Sequence, residues 1–356
     1  MSNGGAQRGH TVNLHNGVRH TFRHFGSGTF SNAHTYCCDR FILNPMIFRD
    51  EYNALGEIGY TPTLYMESNC RWTTPFDMII NQIVENHRGE NRHGSCGVGI
   101  WETCVRYDRE ATYTLHQFNA LPMNQRISYL KRLRDKYLPR RLKELGVTEI
   151  PYDWQFIMSD DNYLIPNFIT DVEFMCSHCS LGNRLTLRNY DTVVFENGQG
   201  LLLDQYATFY GDNTTPSNTG SYNAIDIISR YFDPKDINVE MCYVTRTYMT
   251  RHGAGRFETE CSKDLLNPFM VDETNKYHDF QGHLRYGELI IDNLVTRCNN
   301  DLQTLTCAKF DWKASIAVTH TNEVQLDYSK FKQGSISNIY TSNTKYTDSV
   351  KVFTEF

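Results

Sequence analysis

The chain has 356 residues, 40% hydrophobic and 13% aromatic, enough for a substantial core in one large domain or two ordinary ones. A net charge of −6 argues against a general nucleic-acid binder, which would show a basic face. No apolar run reaches the ~18 residues of a membrane span, and residues 1–356 contain no charged-then-apolar signal-peptide pattern, so neither a membrane partner nor a signal peptide is expected.

In chain order, the first feature is a glycine-rich loop, "GGAQRGHT" (4–11), of the kind that lets backbone approach a ligand. "TPTLYME" predicts a strand ending at Ser68-Asn69, and 75–87 predicts a helix. "HGSCGVG" (93–99) has the glycine spacing of a phosphate-cradling turn without the lysine of a P-loop. Residues 124–145 read as an amphipathic helix with a solvated cationic face, bent or broken near Pro139. "CSHC" (176–179) has ligand spacing, but a structural zinc site needs a second pair. "DTVVFE" predicts a strand ending in "NGQG", and "NTTPSNTG" (213–220) a polar loop before a helix at 221–231. "VEMCYVTRTYMT" predicts a strand running into "RHGAGR", 288–300 a helix, and "SIAVT" a strand into "HTNE". Eleven cysteines, an odd number scattered along the chain, fit a reducing cytoplasm.

Strands apolar on both faces and separated by helices predict an α/β fold, a mainly parallel sheet covered by helices. In such sheets ligands lie at the carboxyl ends of the strands, where these polar loops fall. Taken singly each loop is a weak signal; together they predict a polar, glycine-lined cleft for an anionic ligand.

Order and spacing carry more. "GGAQRGHT", "GSCGVGIWETCVR", "FENGQGLLLD", "NTTPSNTG", "YVTRTYMTRHGAGRFETE" and "FQGHLRYG" together resemble the adenylosuccinate synthetase family from residue 4 to about 348, as one domain over 1–356. "GSCGVG" with "ETCVR", and "FQGHLRYG", look closer to the phage branch, the 2-aminoadenylosuccinate synthases. Family members carry a strand, a phosphate loop near "GDEGKG" and a helix ahead of the "GHT" loop, and the resemblance implies that this chain begins after them. The lost strand would be central, leaving its neighbours with unpaired backbone groups.

The reaction implied is ligation of L-aspartate to the purine 6-position of IMP or dGMP, driven by ATP or GTP with Mg²⁺. On the resemblance, His10 donates to the transferring phosphoryl group, and Gly9 offers its carbonyl to Mg²⁺. Gln7, Ser95, Cys96, Gln199 and Thr215 hold the purine monophosphate, with Cys96 in place of a threonine. Arg106 matches the arginine that reaches the partner subunit's nucleotide, implying a homodimer. Gln281, Gly282 and Arg285 align with the loop that clamps aspartate, and His283 stands where an arginine is usual. The triphosphate base site falls on His320, Thr321 and Asn322, with Thr341, Ser342 and Asn343 in the second loop. Asn322 replaces the family's aspartate, and the second loop lacks its Gly-Pro, which both point away from GTP. Two functions fit these residues: a purine nucleotide–aspartate ligase, or a noncatalytic relative that binds a purine monophosphate.

Overall fold

The computed structural model describes residues 1–211 and 213–354. A hairpin opens the fold: β1 (His10–Asn13) pairs antiparallel with β2 (Arg19–Phe22), around a turn where Gly17 has φ 88°. The first parallel sheet has the order β3 (Thr35–Cys37), β4 (Leu64–Glu67), β5 (Cys179–Gly182), with Leu64 opposite both Thr35 and Cys179. Around it lie α1 (Pro45–Glu57), α2 (Pro75–Arg88), α3 (Ile100–Arg109), α4 (Leu115–Ala120), α5 (Met123–Arg132), α6 (Leu138–Glu144), α7 (Tyr152–Ser159) and α8 (Leu164–His178). The helix starts are written locally: Pro45 and Pro75 occupy first-turn positions where no N–H is needed, and Thr74 with Asp77 closes a capping box. Phe48, Trp72, Phe76, Phe118 and Val172, all fully buried, fill this half's core.

The second parallel sheet has β10 (Asp311–Thr319) between β6 (Asn238–Arg246) and β11 (Ile336–Thr341), with β12 (Lys351–Val352) antiparallel at one edge. Between β6 and β10 the chain also forms β7 (Met249–Arg251), β8 (Glu260–Cys261) and β9 (Arg285–Gly287), a small antiparallel sheet. Helices α9 (Tyr222–Ser229) and α11 (Ile291–Ala308) contribute Ile225, Val295, Leu302 and Leu305 to a second core with Ile316 and Val318 of β10; the one-turn helix α10 (Lys263–Leu266) stands apart from it.

The α/β class and the mainly parallel pairing are as expected, with the parallel strands divided between two sheets. The division falls at "DTVVFE": residues 191–196 form no strand, although their apolar pattern is right for one. A strand needs a neighbour to bond, and here none flanks this segment. The basic helix bends as expected, through a π-helical turn at Leu133–Tyr137 immediately before Pro139. Its cations meet acids: Arg126 pairs with Glu173, Lys131 and Arg134 with Asp161, Arg132 and Arg140 with Glu110. No helix of the described residues is long and apolar enough to cross a membrane.

Candidate functional site

His10 begins β1, which delivers its ring to a cleft of about 2840 Å³ between the two halves of the molecule. Glu196, from the "FENGQG" loop, lies 3.0 Å from His10 Nδ1. The same carboxylate accepts from the Ser27 hydroxyl (2.5 Å) and amide (2.9 Å), and pairs with the buried Arg8 at 3.4 Å. Burial alone would raise the Glu196 pKa, but the bonds from His10 and Ser27 and the charge of Arg8 outweigh it and hold the carboxyl at about 2. Glu196 is therefore anionic at neutral pH, and it fixes the rotation of the imidazole through Nδ1. That leaves Nε2, which has no partner among the described residues, for a ligand. Sequence reasoning missed Glu196; the signal was its place inside one of the most specific motifs.

Gln7 and Gln199 approach the same wall of the cleft, on either side of Gly4. Gly4 has φ 69°, and a Cβ there would lie 2.8 Å from Gln199 Oε1 and 3.2 Å from Gln7 Nε2. Both glutamine Oε1 atoms are buried without a hydrogen-bond partner, as is Asn213 Oδ1. Unmet buried acceptors are costly in a finished core, so three along one cleft mark a place for a donor-bearing ligand. Thr215 lines the cleft beside them, its loop held by its own N–H to Leu203 O at 2.7 Å.

The "HGSCGVG" loop forms the facing wall. Gly94, Gly97 and Gly99 all have positive φ, near 72–75°. Gly94 has a second reason to be glycine: a Cβ would lie 2.4 Å from Gly253 Cα, so the loop packs backbone to backbone on "RHGAGR". The Ser95 hydroxyl accepts from Asn81 (2.8 Å), leaving its proton to donate, and burial pushes the Cys96 thiol pKa up, keeping it neutral. The loop ends at the amino terminus of α3, whose first residues Ile100 and Trp101 line the cleft, a favourable setting for a phosphate.

Two expected ligand residues lie elsewhere. Arg106 is a correction: its side chain is fully buried, with Nε bonded to both oxygens of the equally buried Asp77 (2.9 and 3.0 Å) and a terminal nitrogen to Trp72 O at 2.6 Å. It cannot reach across to another subunit. Arg109, one turn on and 49% exposed, is the arginine of α3 that faces outward, held by Glu144. Arg285 is the second correction. Glu260 binds its Nε (2.7 Å) and a terminal nitrogen, and its other terminal nitrogen donates to Gly253 O (3.0 Å) and Gly255 O (2.9 Å). The fork that was to clamp a dicarboxylate already holds a carboxylate, and Arg285 does not line the cleft. Gln281 does line it, while Gly282 is tied back to His278 and makes the turn at φ 73°. Arg251 is the cation the sequence reading overlooked: it lines the cleft, donates only to carbonyls of Ala254 and Asn213, and forms no ion pair among the described residues.

The two triphosphate loops meet at the carboxyl ends of β10 and β11, where Thr321 N–H donates to Ser342 O at 3.1 Å. His320 turns the chain there with φ 61°; burial, aided by the charge of Arg246, lowers its pKa. Asn322 and Asn343 are exposed at this rim, while Thr341 ends β11 and the Ser342 hydroxyl donates to Thr344 O. Gly9 lines the cleft and would offer one backbone carbonyl to Mg²⁺, an ion that takes most of its oxygens from water and substrate phosphates; no group of three or more ligating side chains converges among the described residues.

The arrangement is thus a cleft with an oriented imidazole, two unmet amides and a glycine-lined helix start. Comparison with known proteins gives this arrangement a family. The profile described as Adenylosuccinate synthetase matches residues 1–327. The adenylosuccinate synthetase of Pelodictyon phaeoclathratiforme is 23% identical over 79% of this chain and 60% of its own length. That of Cyanothece is 24% identical over 86% of this chain and 67% of its own. The chain thus spans about three fifths to two thirds of the length of these curated relatives. Among solved structures, the fully ligated adenylosuccinate synthetase from Plasmodium falciparum superposes with TM-score 0.59 at 18% identity, covering 88% of this chain and 69% of that one. The succinoaminodeoxyadenylate synthetase of cyanophage S-2L, bound to dGMP and to dATP as an energy donor, gives 0.56 at 12% identity over 99% of this chain and 87% of that one. Sharing the fold of these enzymes and matched by the family profile over most of its length, the chain belongs to the adenylosuccinate synthetase family.

Proposed function

We propose that the chain is the nucleotide-binding body of a purine nucleotide–aspartate ligase that forms a succino-purine nucleotide from dGMP. The observation that carries this reading is the convergence of Gln7, His10, Ser95, Gln199 and Thr215, from four separate segments, on one cleft. Gln7 and Gln199 line the wall that takes the purine and ribose, and Ser95 with the start of α3 receives the 5′-phosphate. His10, oriented by Glu196 through Nδ1, donates from Nε2 in its imidazolium form to the phosphoryl group that activates the purine 6-oxygen. The choice of dGMP over IMP rests on the phage-like "GSCGVG", "ETCVR" and "FQGHLRYG" motifs.

ATP is proposed as the donor in preference to GTP, because Asn322 stands where a carboxylate would accept from both guanine N1–H and N2–H. Restoring the acid with Asn322→Asp should strengthen GTP binding relative to ATP by about 1.5–3 kcal/mol, roughly 10- to 100-fold. Unchanged competition between the two triphosphates would mean another group reads the base. With Arg285 held by Glu260, Gln281 and Arg251, which both line the cleft, are proposed to meet the aspartate carboxylates. Since Arg106 is buried, the homodimer rests on the family resemblance alone. The reading of 1–356 as one domain is supported by bonds that cross its halves: Ser2 to Asn197, Asn3 to Asn218 and Arg40 to Asp226. A cytoplasmic site of action is supported by eleven free cysteines.

The second reading, a noncatalytic purine-monophosphate binder, is favoured by one feature: the guanidinium of Arg285, aligned with the aspartate clamp, is already held by Glu260. Titration of the chain with dGMP and IMP tests the monophosphate site that both readings share, and turnover on adding aspartate, Mg²⁺ and ATP would exclude the noncatalytic one. Binding of dGMP is the expected result. Absence of binding by either monophosphate would overturn both.

A further inference from the structure

The two loops that line the monophosphate side of the cleft are joined by a third, "RHGAGR" (251–256). Gly253 packs on the "HGSCGVG" loop, where a Cβ would lie 2.3 Å from Gly94 O, and Ala254 N–H donates to His93 O at 3.2 Å. On its other side, Gly255 abuts the side chain of Asn213, and a terminal nitrogen of Arg251 donates to Asn213 O at 3.4 Å. His252 is therefore held between the loop of Ser95 and the loop of Thr215, and its exposed side chain lines the cleft.

A chain of hydrogen bonds fixes which nitrogen of the ring carries the proton. Asp272 accepts from Thr274 N–H (2.9 Å) and Asn275 N–H (2.8 Å) at one oxygen. Its other oxygen accepts from Asn275 Nδ2 (2.7 Å) and from Arg246 (2.9 Å). Burial would raise the Asp272 pKa, but these donors hold it well below the ordinary carboxylate range, so the carboxylate only accepts. The Asn275 amide must then turn its NH₂ to Asp272 and its oxygen to His252. That oxygen lies 3.0 Å from His252 Nε2 and has no proton to give, so Nε2 donates to it.

Nδ1 is the remaining nitrogen, and it has no hydrogen-bond partner among the described residues. In a neutral ring with its proton on Nε2, Nδ1 is an acceptor. The ring is neutral at pH 7, because partial withdrawal from water lowers its pKa and outweighs the pull of Asn275 and Asp272. Arg246 and His278 lower it further. His252 thus offers the cleft an oriented lone pair, where its neighbour Arg251 offers donors.

We propose that His252 is a specificity-determining residue whose Nδ1 accepts a hydrogen bond from the 3′-hydroxyl of the bound purine monophosphate. The inference deepens the ligase reading and rests on it. With the phosphate at Ser95 and the start of α3, the sugar is the next part of the ligand, and His252 adjoins the residue that packs on that loop. The 3′-hydroxyl is the one sugar hydroxyl that dGMP has. A free nucleotide has that proton to give, whereas the 5′-terminal nucleotide of a strand has its 3′-oxygen esterified and gives none. His252 therefore selects free nucleotides over the 5′-phosphorylated ends of nucleic acid, because an acceptor facing another acceptor goes unmet.

Calorimetry on the whole chain with dGMP and with 2′,3′-dideoxy-3′-fluoroguanosine 5′-monophosphate tests this. Fluorine fills the place of the hydroxyl but has no proton to donate. The unmodified chain should bind the fluoro analogue about tenfold more weakly than dGMP, the loss expected when an acceptor goes unmet. In His252→Phe, which keeps a ring but no acceptor, the two ligands should bind within about twofold of each other. Asn275→Leu leaves the histidine in place without its orienting oxygen, and the difference should shrink there to below about threefold. A histidine that served packing alone would leave the tenfold difference intact in His252→Phe. Equal binding of the two ligands by the unmodified chain, or an undiminished difference in either natively folded variant, would overturn the inference and leave the monophosphate site standing. Failure of dGMP to bind a chain whose circular dichroism is native would overturn the ligase reading and the inference together.

Discussion

Arg106 and Gln199 show two opposite fates for a polar side chain in a ligand-binding motif. Arg106 has committed its guanidinium to Asp77 and Trp72 O inside the core, whereas Gln199 Oε1 is equally hidden and has no partner. The same contrast separates Arg285, saturated by Glu260 and two glycine carbonyls, from Arg251, which bonds carbonyls only. In the second pair both residues are arginines, so residue type alone does not set the fate. What differs is whether the fold has already supplied the partner that a ligand would bring, because a buried group left unmet costs about 1–3 kcal/mol until something satisfies it.

The sharpest way to break the comparison is Arg106→Ala. Removing one partner of a fully buried pair leaves the Asp77 carboxylate buried without its cation, so stability should fall by about 3–5 kcal/mol in a denaturant titration. A loss below about 1 kcal/mol would show the pair to be dispensable and reopen Arg106 as a ligand residue.

Glu196 lies between the two classes, since it is satisfied by the fold and yet serves the cleft. Its carboxyl is held at about 2 against an ordinary 4.5, so its contribution to folding is complete above about pH 4.5 and is lost as the pH falls through 2. The shift corresponds to about 3 kcal/mol. Stability measured between pH 6 and 2 should show this loss in the unmodified protein and a flatter profile in Glu196→Gln. Identical profiles would mean that His10, Ser27 and Arg8 do not act on this carboxylate.

The smallest effects belong to the unmet group. Gln199→Ala and Thr215→Ala should each weaken purine monophosphate binding by about 1–3 kcal/mol, while changing stability far less than Arg106→Ala does. Calorimetry with unchanged affinity in both variants would place the nucleotide elsewhere.

Much of the fold was legible locally. Apolar periodicity gave α2, α9, much of α11, β4 and the core of β10, because those segments carry their burial pattern within one stretch of chain. Proline and glycine marked the bend after α5 and the loops of the cleft. The order of the loops along the chain carried the family and placed His10, Gln7, Gln199, Ser95 and Thr215 in one cleft before any coordinates did. The segment 191–196 shows the limit. Its pattern is that of a buried strand, but a strand exists only where a neighbour bonds it, and a neighbour is not a property of the segment.

Partners distant in sequence were settled only by the tertiary structure. His10 meets Glu196 across 186 positions, Arg106 meets Asp77 across 29 and Arg285 meets Glu260 across 25. Each of these contacts decides whether a motif residue is oriented toward a ligand or consumed by the core. The amino-acid sequence determined which residue types stand in which motifs, since composition and spacing are local. Only the folded chain determined which charges were already neutralised, because electrostatic and hydrogen-bond satisfaction depends on distances of about 3 Å, which packing alone sets.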